Sequence, residues 1–170
     1  WSLTEVEFND GPYLDSNTTS TTMTPSATSG SSITITASGN VFVATDVGRL
    51  ISFNSGHAKI TAFGTSLAVT AEVKKDFADT SAKTEWKLGA FSTTTGFPSC
   101  VSFFEQRLVF AGTSQQPQTM FFSKSGDYEN MTIGTNDDDA MIYTIASNQV
   151  NAIQALKATR TLIVMTTGGE

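Results

Sequence analysis

The chain has 170 residues, enough for one large β domain or two small ones, and its formal net charge is −6 at pH 7. Only 15% of the residues are charged and 39% are hydrophobic, and the Thr, Ser and Gly that fill the difference suit strands and exposed turns better than helices. The acidic balance argues against tight, sequence-independent DNA binding, which depends on Lys and Arg.

The N-terminal stretch predicts a strand followed by a turn. Apolar and polar residues alternate within residues 1–8, and Asn9-Asp10-Gly11-Pro12 is a strong turn signal. Asp10 and Asp15 are candidates for the carboxylate pair of a hydrolase. Turn and capping roles are far commoner for Asp, so we expect no catalysis there. The sequence begins with Trp1 rather than Met, and we expect the chain to be an excerpt of a longer polypeptide.

The next part predicts a small β domain. The Ser- and Thr-rich stretch Asn17–Ser32 fits an extended linker or a long hairpin edge rather than a packed element. Short strands with a hairpin turn at Asn54–His57 then predict a small barrel or sandwich, which the polar stretch Lys74–Thr84 ends. Trp86-Lys87-Leu88 echoes Trp1-Ser2-Leu3, which indicates an insertion that leaves a sheet and returns to it. The predicted strands are Ser32–Ala37, Leu50–Phe53, Ala58–Phe63 and Leu67–Val73.

The stretch Gly96–Tyr128 predicts a β-meander. Val101–Phe104 and Arg107–Phe110 are β-rich runs separated by Glu105-Gln106, which is the two-residue spacing of a hairpin, although this pair lacks the Gly or Asn that such a turn prefers. Met120–Phe122 is a third strand. Three antiparallel strands in sequence make most of one propeller blade or part of a sandwich.

Two groups in this meander invite a functional interpretation. Arg107 lies within a predicted strand, where a charge is either exposed to solvent or paired with an acid such as Glu105 or Asp127, and we expect a structural tie. Phe121 and Phe122, next to Lys124, are candidates for stacking on nucleic-acid bases or sugars. A core strand explains these two phenylalanines better.

The last part of the chain combines an acidic run with further strands. Asn136–Asp139 suggests calcium, but consecutive acids cannot all point at one ion and the spaced pattern of calcium loops is absent, so we expect a solvated turn. Ala140–Ile145 and Thr161–Thr166 predict strands, the second of them buried. Ser147–Leu156 fits a short helical turn. The apolar residues on one side of that turn are Val150, Ile153 and Leu156.

No constellation of catalytic or metal-binding residues is evident in the sequence. Cys100 is the only cysteine, which excludes an intrachain disulfide, and it fits a small, half-buried strand residue. A cysteine nucleophile needs a base, and His57, the only histidine, is far away in sequence and falls in a predicted turn. The sequence therefore predicts no enzyme, no cofactor and no metal. No apolar run is long enough to span a bilayer, and Trp1–Glu5 lacks the features of a signal peptide.

Between Gly96 and Asn130 the chain follows the pattern G-F/Y-P-x-x-V-x-F-x-x-x-R-L-x-F-A-G-T-x-x-x-P-Q-T-x-x-x-S-x-x-G-D-F/Y-x-N. With these fixed residue types at fixed spacing, it resembles the tail tubular protein B, or tail nozzle, family of short-tailed bacteriophages (podoviruses). The resemblance is densest from Trp86 to Glu170. The matching residues are Gly96, Phe97, Pro98, Val101, Phe103, Arg107, Leu108, Phe110, Ala111, Gly112, Thr113, Pro117, Gln118, Thr119, Ser123, Gly126, Asp127, Tyr128 and Asn130.

The resemblance implies an all-β fold with a small inserted β-barrel or sandwich domain, followed by antiparallel meander blades of a propeller-like platform. Residues 1–20 would belong to the platform, residues 21–85 to the inserted domain and residues 86–170 to the blades. It also implies a structural virion protein, made in the host cytoplasm, that forms a ring, a hexamer by family resemblance, through which DNA is ejected. Its partners would be copies of itself, neighbouring tail and adaptor proteins and, transiently, viral DNA, with no membrane insertion by this segment.

Two other functions compete with this one. A carbohydrate-binding or host-adhesion module is the first, because Thr-rich β domains with exposed aromatic residues often bind glycans, and Trp1, Trp86 and Tyr128 are the candidate contacts. A propeller glycosidase is the second, and it would need two carboxylates facing each other in a pocket.

Overall fold

The computed structural model describes residue 2, residues 7–146 and residues 149–168. The described residues form an all-β structure with one short 3-10 helix, Ala44–Asp46, and no α-helix, which confirms the predicted fold class. Among them, no helix has the length and apolar character needed to cross a membrane. The strands are β1 (Met23–Pro25), β2 (Ile33–Ala37), β3 (Leu50–Phe53), β4 (Gly56–Thr65), β5 (Ala68–Lys75), β6 (Trp86–Leu88), β7 (Cys100–Phe104), β8 (Arg107–Ala111), β9 (Thr119–Phe122), β10 (Met141–Thr144), β11 (Ile153–Ala158) and β12 (Leu162–Thr166).

One compact unit, Tyr13–Thr94, contains a curled six-stranded sheet in the order β1-β2-β5-β4-β3-β6. Strict alternation in β2 buries Ile33, Ile35 and Ala37 and exposes the two threonines between them, as expected for a half-buried strand. The predicted hairpin turn before β4 is confirmed, with Asn54 and Ser55 at φ 50° and 63°. The core of this unit consists of Met23, Ile33, Ile35, Ala37, Phe42, Ile51, Phe53, Ala58, Ile60, Val69, Ala71 and Phe77.

Three local predictions in this unit need correction. The stretch Asn17–Ser32 does contain the sheet's edge strand β1, but it is packed, because Met23 is fully buried. The polar stretch after β5 also contributes to the core, since the Phe77 and Phe53 ring centroids are 4.5 Å apart. His57 belongs to strand β4 and is buried, rather than lying in the turn.

The bounds of this unit are wider than the predicted inserted domain of residues 21–85. Trp86–Leu88 forms β6 and pairs antiparallel with β3, so it is part of the same sheet. The Trp86 side chain packs against the core, and its indole Nε1 donates to the Thr21 carbonyl at 2.9 Å. Trp1 and Leu3 of the echo, like most of the predicted strand over residues 1–8, lie outside the described residues.

The other compact unit comprises the described residues before Tyr13 and after Thr94. Strands β7 to β10 form a four-stranded antiparallel sheet in the order β10-β9-β8-β7, so the predicted meander is confirmed and gains a fourth strand. The two-residue turn is confirmed as well, because Phe104 pairs with Arg107 while Glu105 and Gln106 adopt φ 46° and 59°. Positive φ at both residues is the backbone of a type I′ hairpin turn.

The C-terminal part of this unit differs from its predictions. Ile153 and Leu156 belong to strand β11 rather than to a helical turn, and Val150 is 73% exposed; Ser147 and Asn148 lie outside the described residues. Strand β12 pairs with β11 and is half-buried instead of buried. Apolar residues three apart fit a helical face, but pairing with β12 and packing of Ile153 against Val109 and Met120 determine the structure here.

Candidate functional site

The two faces of the β7–β10 sheet differ in what covers them. Directly paired residues share a face, and one face buries Val109, Ala111 and Met120 against Ile153 of β11. On the opposite face, the residues of the edge strand β7 are open: Val101 and Phe103 are 56% and 60% exposed.

An exposed aromatic pair extends this open region. The rings of Phe103 and Tyr128 meet edge to face, with their centroids 5.2 Å apart. We call Val101, Phe103 and Tyr128 the β7 patch. Clusters of exposed apolar side chains on a rigid sheet are typical of protein–protein contact sites.

Arg107 begins strand β8 and anchors the acidic run. Its guanidinium is buried, with only 7% of the residue exposed. It donates to the carbonyl oxygens of Ser123 at 2.8 Å, Asp137 at 2.5 Å and Asp139 at 2.6 Å, and more weakly to that of Asp138 at 3.4 Å. Arg107 is thus the centre of a clamp that fixes the chain between β9 and β10.

The partners of Arg107 differ from the expected ones. Within the part of the chain that the structure describes, the guanidinium bonds to backbone carbonyls rather than to the carboxylates of Glu105 or Asp127. Carbonyl oxygens carry partial negative charge, so a set of them satisfies a buried guanidinium without a second ion.

The acidic run itself forms a turn. The Asp139 carboxylate accepts hydrogen bonds from the backbone N–H and the side-chain amide of Asn136, at 3.0 and 3.1 Å. Lys124 Nζ lies 3.3 Å from a carboxylate oxygen of Asp138 and of Asp139. The bonds from Asn136 hold the pKa of Asp139 below its usual value, and the two carboxylates raise the pKa of Lys124. The predicted solvated turn is confirmed. Among the described residues, no three His, Cys, Asp or Glu side chains are grouped so that they could hold a metal ion such as calcium.

A second charged centre, which was not predicted, lies in the unit Tyr13–Thr94. Asp46 and Arg49 form an ion pair at 2.9 Å with 1% and 4% of their side chains exposed. Asp46 also accepts hydrogen bonds from the Val43 N–H and the Thr94 hydroxyl, and Arg49 Nε donates to the Gly89 carbonyl at 2.8 Å. The only signal was the Asp-x-x-Arg spacing, which a 3-10 turn places on one side.

The remaining candidate residues have structural surroundings. Cys100 is half-buried in β7, as predicted, and burial raises the pKa of its thiol, which disfavours the reactive thiolate. Asp10 lies in a bridge to Asn130, where its carbonyl accepts from the Met131 N–H at 2.8 Å. Phe121 is buried in β9, which confirms the core interpretation of Phe121-Phe122. Of the predicted glycan contacts, Tyr128 is exposed, while Trp1 lies outside the described residues.

No family model and no curated protein sequence matches this chain. Membership of the nozzle family therefore stays a prediction.

Proposed function

We propose that the chain is a structural part of a virion, a segment of the tail nozzle of a short-tailed bacteriophage that assembles with copies of itself around the path of the ejected DNA. The observation that supports this most is where the residues of the Gly96–Asn130 pattern lie. They lie in strands β7 and β8, in the loops that follow β8 and β9, and in the Arg107 clamp, so the pattern describes a scaffold.

Three of these residues illustrate the point. Arg107 holds the chain after β9 through four carbonyls. Gly112 has φ +72°, and a Cβ there would lie 2.8 Å from the Ile153 carbonyl oxygen, so only glycine fits. Thr113 is buried, and its hydroxyl accepts the Gln116 N–H at 3.0 Å. These three residues have roles in the shape of the chain and not in a reaction.

The β7 patch is the surface we propose for contact between copies. Its side chains are uncharged, while the chain as a whole carries a net charge of −6. Apolar contact is therefore the means by which two copies of an acidic protein would overcome their mutual repulsion.

Assembly of the complete polypeptide tests this function. We expect rings in negative-stain images and in light-scattering mass measurements, and antibodies against residues 13–94 should label the tails of intact virions. Phe103→Ser should weaken assembly because it removes the centre of the β7 patch, whereas Val47→Ser, at another exposed apolar residue, should leave it unchanged. A complete protein that stays monomeric, with no label on any tail, would contradict the proposal.

Glycan binding is the second candidate, and the exposed pair Phe103–Tyr128 favours it, because aromatic faces stack on sugars. Binding to a glycan array that Tyr128→Ala abolishes would support this candidate. If Tyr128→Ala binds the glycan array as well as the unmodified chain does, Phe103 and Tyr128 have no role in glycan binding.

A further inference from the structure

Strand β10 forms one edge of the four-stranded sheet. On the β9 side, the Ile145 N–H donates to the Gln118 carbonyl at 3.0 Å. On the opposite side, the Ala140 N–H donates to the Thr132 carbonyl at 3.3 Å. Because backbone groups alternate along a strand, Ile142 and Thr144 share the direction of Ala140 and present their N–H and C=O groups to the outer edge. Among the described residues, no strand pairs with that edge beyond Ala140.

This edge lacks the features that usually prevent further pairing. Met141-Ile142-Tyr143-Thr144 contains no charge and no proline, and Tyr143 is 59% exposed. The edges of the sheet in the other unit are already covered. The Met23 backbone in β1 exchanges hydrogen bonds with Lys83, and the Trp86 and Leu88 carbonyls in β6 accept from Asn17 and Leu14. Pro25 in β1 further blocks the addition of a strand, so β10 is open where β1 and β6 are protected.

A cleft of about 350 Å³ lies at the C-terminal end of β10. None of its lining side chains is charged, and the loop between β8 and β9 provides most of them. Thr144, the last residue of β10, lines it as well. The lining residues are Gln115–Thr119, Thr144 and Val150.

Gln116, one of the residues that line the cleft, has an unused hydrogen-bond acceptor. Oε1 of Gln116 is buried and has no hydrogen-bond partner among the described residues. A buried amide oxygen without a donor is destabilising, so the protein gains free energy if the Gln116 side chain turns this oxygen towards a donor in the cleft. The neutral lining favours an uncharged donor, since a charge would lose its hydration there without an opposite charge.

We propose that the outer edge of β10 and this cleft together bind an extended, uncharged peptide strand from another protein. The strand's backbone continues the sheet through Ile142 and Thr144, and a neutral side chain such as Asn or Ser donates to Gln116 Oε1. Backbone pairing supplies affinity and the cleft supplies selectivity, as in other cases of strand addition. The site rests on the edge of β10 and on the cleft, and it is independent of the proposed role in the virion.

The test uses the isotope-labelled full chain and three capped hexapeptides followed by NMR. The first is a Thr/Val peptide with one Asn, the second is the same peptide with N-methylated backbone amides, and the third has Asp in place of Asn. We expect the first to shift and protect the Ile142 and Thr144 amides and to shift Gln116. The N-methylated peptide should cause no such change because it cannot donate from its backbone, and the Asp peptide should bind about tenfold more weakly, which corresponds to about 1.4 kcal/mol.

Two variants check the two halves of the site. Gln116→Met keeps the length of the side chain but removes the acceptor, and it should weaken binding of the Asn peptide about tenfold without disturbing the spectrum of β7–β9. Ile142→Pro removes an N–H that faces outward, so the sheet should survive while binding is lost. Equal shifts with the N-methylated peptide, or no response of Ile142 and Thr144 to the Asn peptide at saturation, would overturn the proposal. Protection of the same amides on raising the protein concentration alone would assign the edge to a second copy and would also overturn it.

Discussion

Arg107 shows how a buried cation can be satisfied by the backbone. Its guanidinium lies among carbonyls of Ser123 and residues 137–139, which come 16 to 32 residues later in the chain. Replacing it by alanine removes the donor to the carbonyls of Asp137, Asp139 and the fully buried Ser123, while the Asp138 carbonyl keeps the Ser125 N–H. An unsatisfied buried polar group costs about 1–3 kcal/mol. Arg107→Ala should therefore lower the free energy of unfolding by at least about 1 kcal/mol.

Chemical denaturation measures this effect, and an exposed arginine provides the control. Arg160 is exposed in the same unit, so Arg160→Ala should change the free energy of unfolding by less than about 0.5 kcal/mol. Arg107→Lys should recover only part of the loss, because an ammonium cannot spread its donors as a planar guanidinium does. Equal stability of Arg107→Ala and Arg160→Ala would show that the clamp contributes nothing.

The Asp46–Arg49 pair makes a contrasting prediction, because both charges are buried and each supports the other. Asp46→Asn keeps the shape of the side chain but leaves Arg49 as an uncompensated charge, and breaking such a pair costs about 3–5 kcal/mol. The double variant Asp46→Leu/Arg49→Met removes both charges and should be more stable than Asp46→Asn. Thermal and urea unfolding compare the two.

An exposed ion pair in the same unit is the matched control. Glu72 and Lys74 lie 3.0 Å apart with 39% and 29% of their side chains exposed. Glu72→Gln should cost less than about 1 kcal/mol, as is usual for exposed pairs. If Asp46→Asn costs no more than Glu72→Gln, the buried pair does not hold the 3-10 turn in place.

At the scale of elements, the β7–β8 turn is a place where sequence and backbone disagree. Glu105 and Gln106 both have positive φ, a conformation that costs L-residues free energy and that Asn-Gly adopts readily. Both side chains are exposed. The double substitution Glu105→Asn/Gln106→Gly should therefore stabilise the protein by about 0.5–2 kcal/mol, measured as the shift in the urea midpoint at unchanged m-value.

Two single glycines test the reasoning behind that turn. Ser55 occupies the equivalent position in the β3–β4 turn at φ 63°, so Ser55→Gly should also stabilise. Thr34 is exposed within strand β2, where it pairs in regular register with Thr70, and Thr34→Gly should destabilise, since glycine weakens a strand. Stabilisation by glycine at all three places would point to something other than backbone strain.

Strands were predictable from the sequence where alternation or turn spacing was strong. The alternation of β2 and the two-residue gap between β7 and β8 led to correct elements, because both signals are local. The region 147–156 led to a wrong element, because Ile153 and Leu156 at a spacing of three fit either structure and the partner strand β12 determines which one forms. The acceptors of Arg107 and the open edge of β10 depend on residues distant in sequence, so local patterns carried no information about them.

At the scale of the whole molecule, the unit Tyr13–Thr94 has the organisation of an inserted domain. Its two ends are joined by hydrogen bonding, because Tyr13 bridges Gly89 and the Leu14 N–H donates to the Leu88 carbonyl at 2.8 Å. Its core consists of residues from this unit alone. Domains whose ends lie close together and which have their own core can fold alone.

A fragment of residues 13–94 should therefore fold by itself, with a dispersed β-sheet NMR spectrum and a cooperative unfolding transition. The matched control is a fragment of residues 33–94, which lacks β1 and with it Met23, a fully buried member of the core. Loss of a large buried side chain costs about 2–5 kcal/mol even when only that side chain is removed, so the shorter fragment should be largely unfolded. If residues 13–94 are unfolded while the full chain is folded, the six-stranded sheet depends on the rest of the protein, and the two units cannot be treated as separate folding domains.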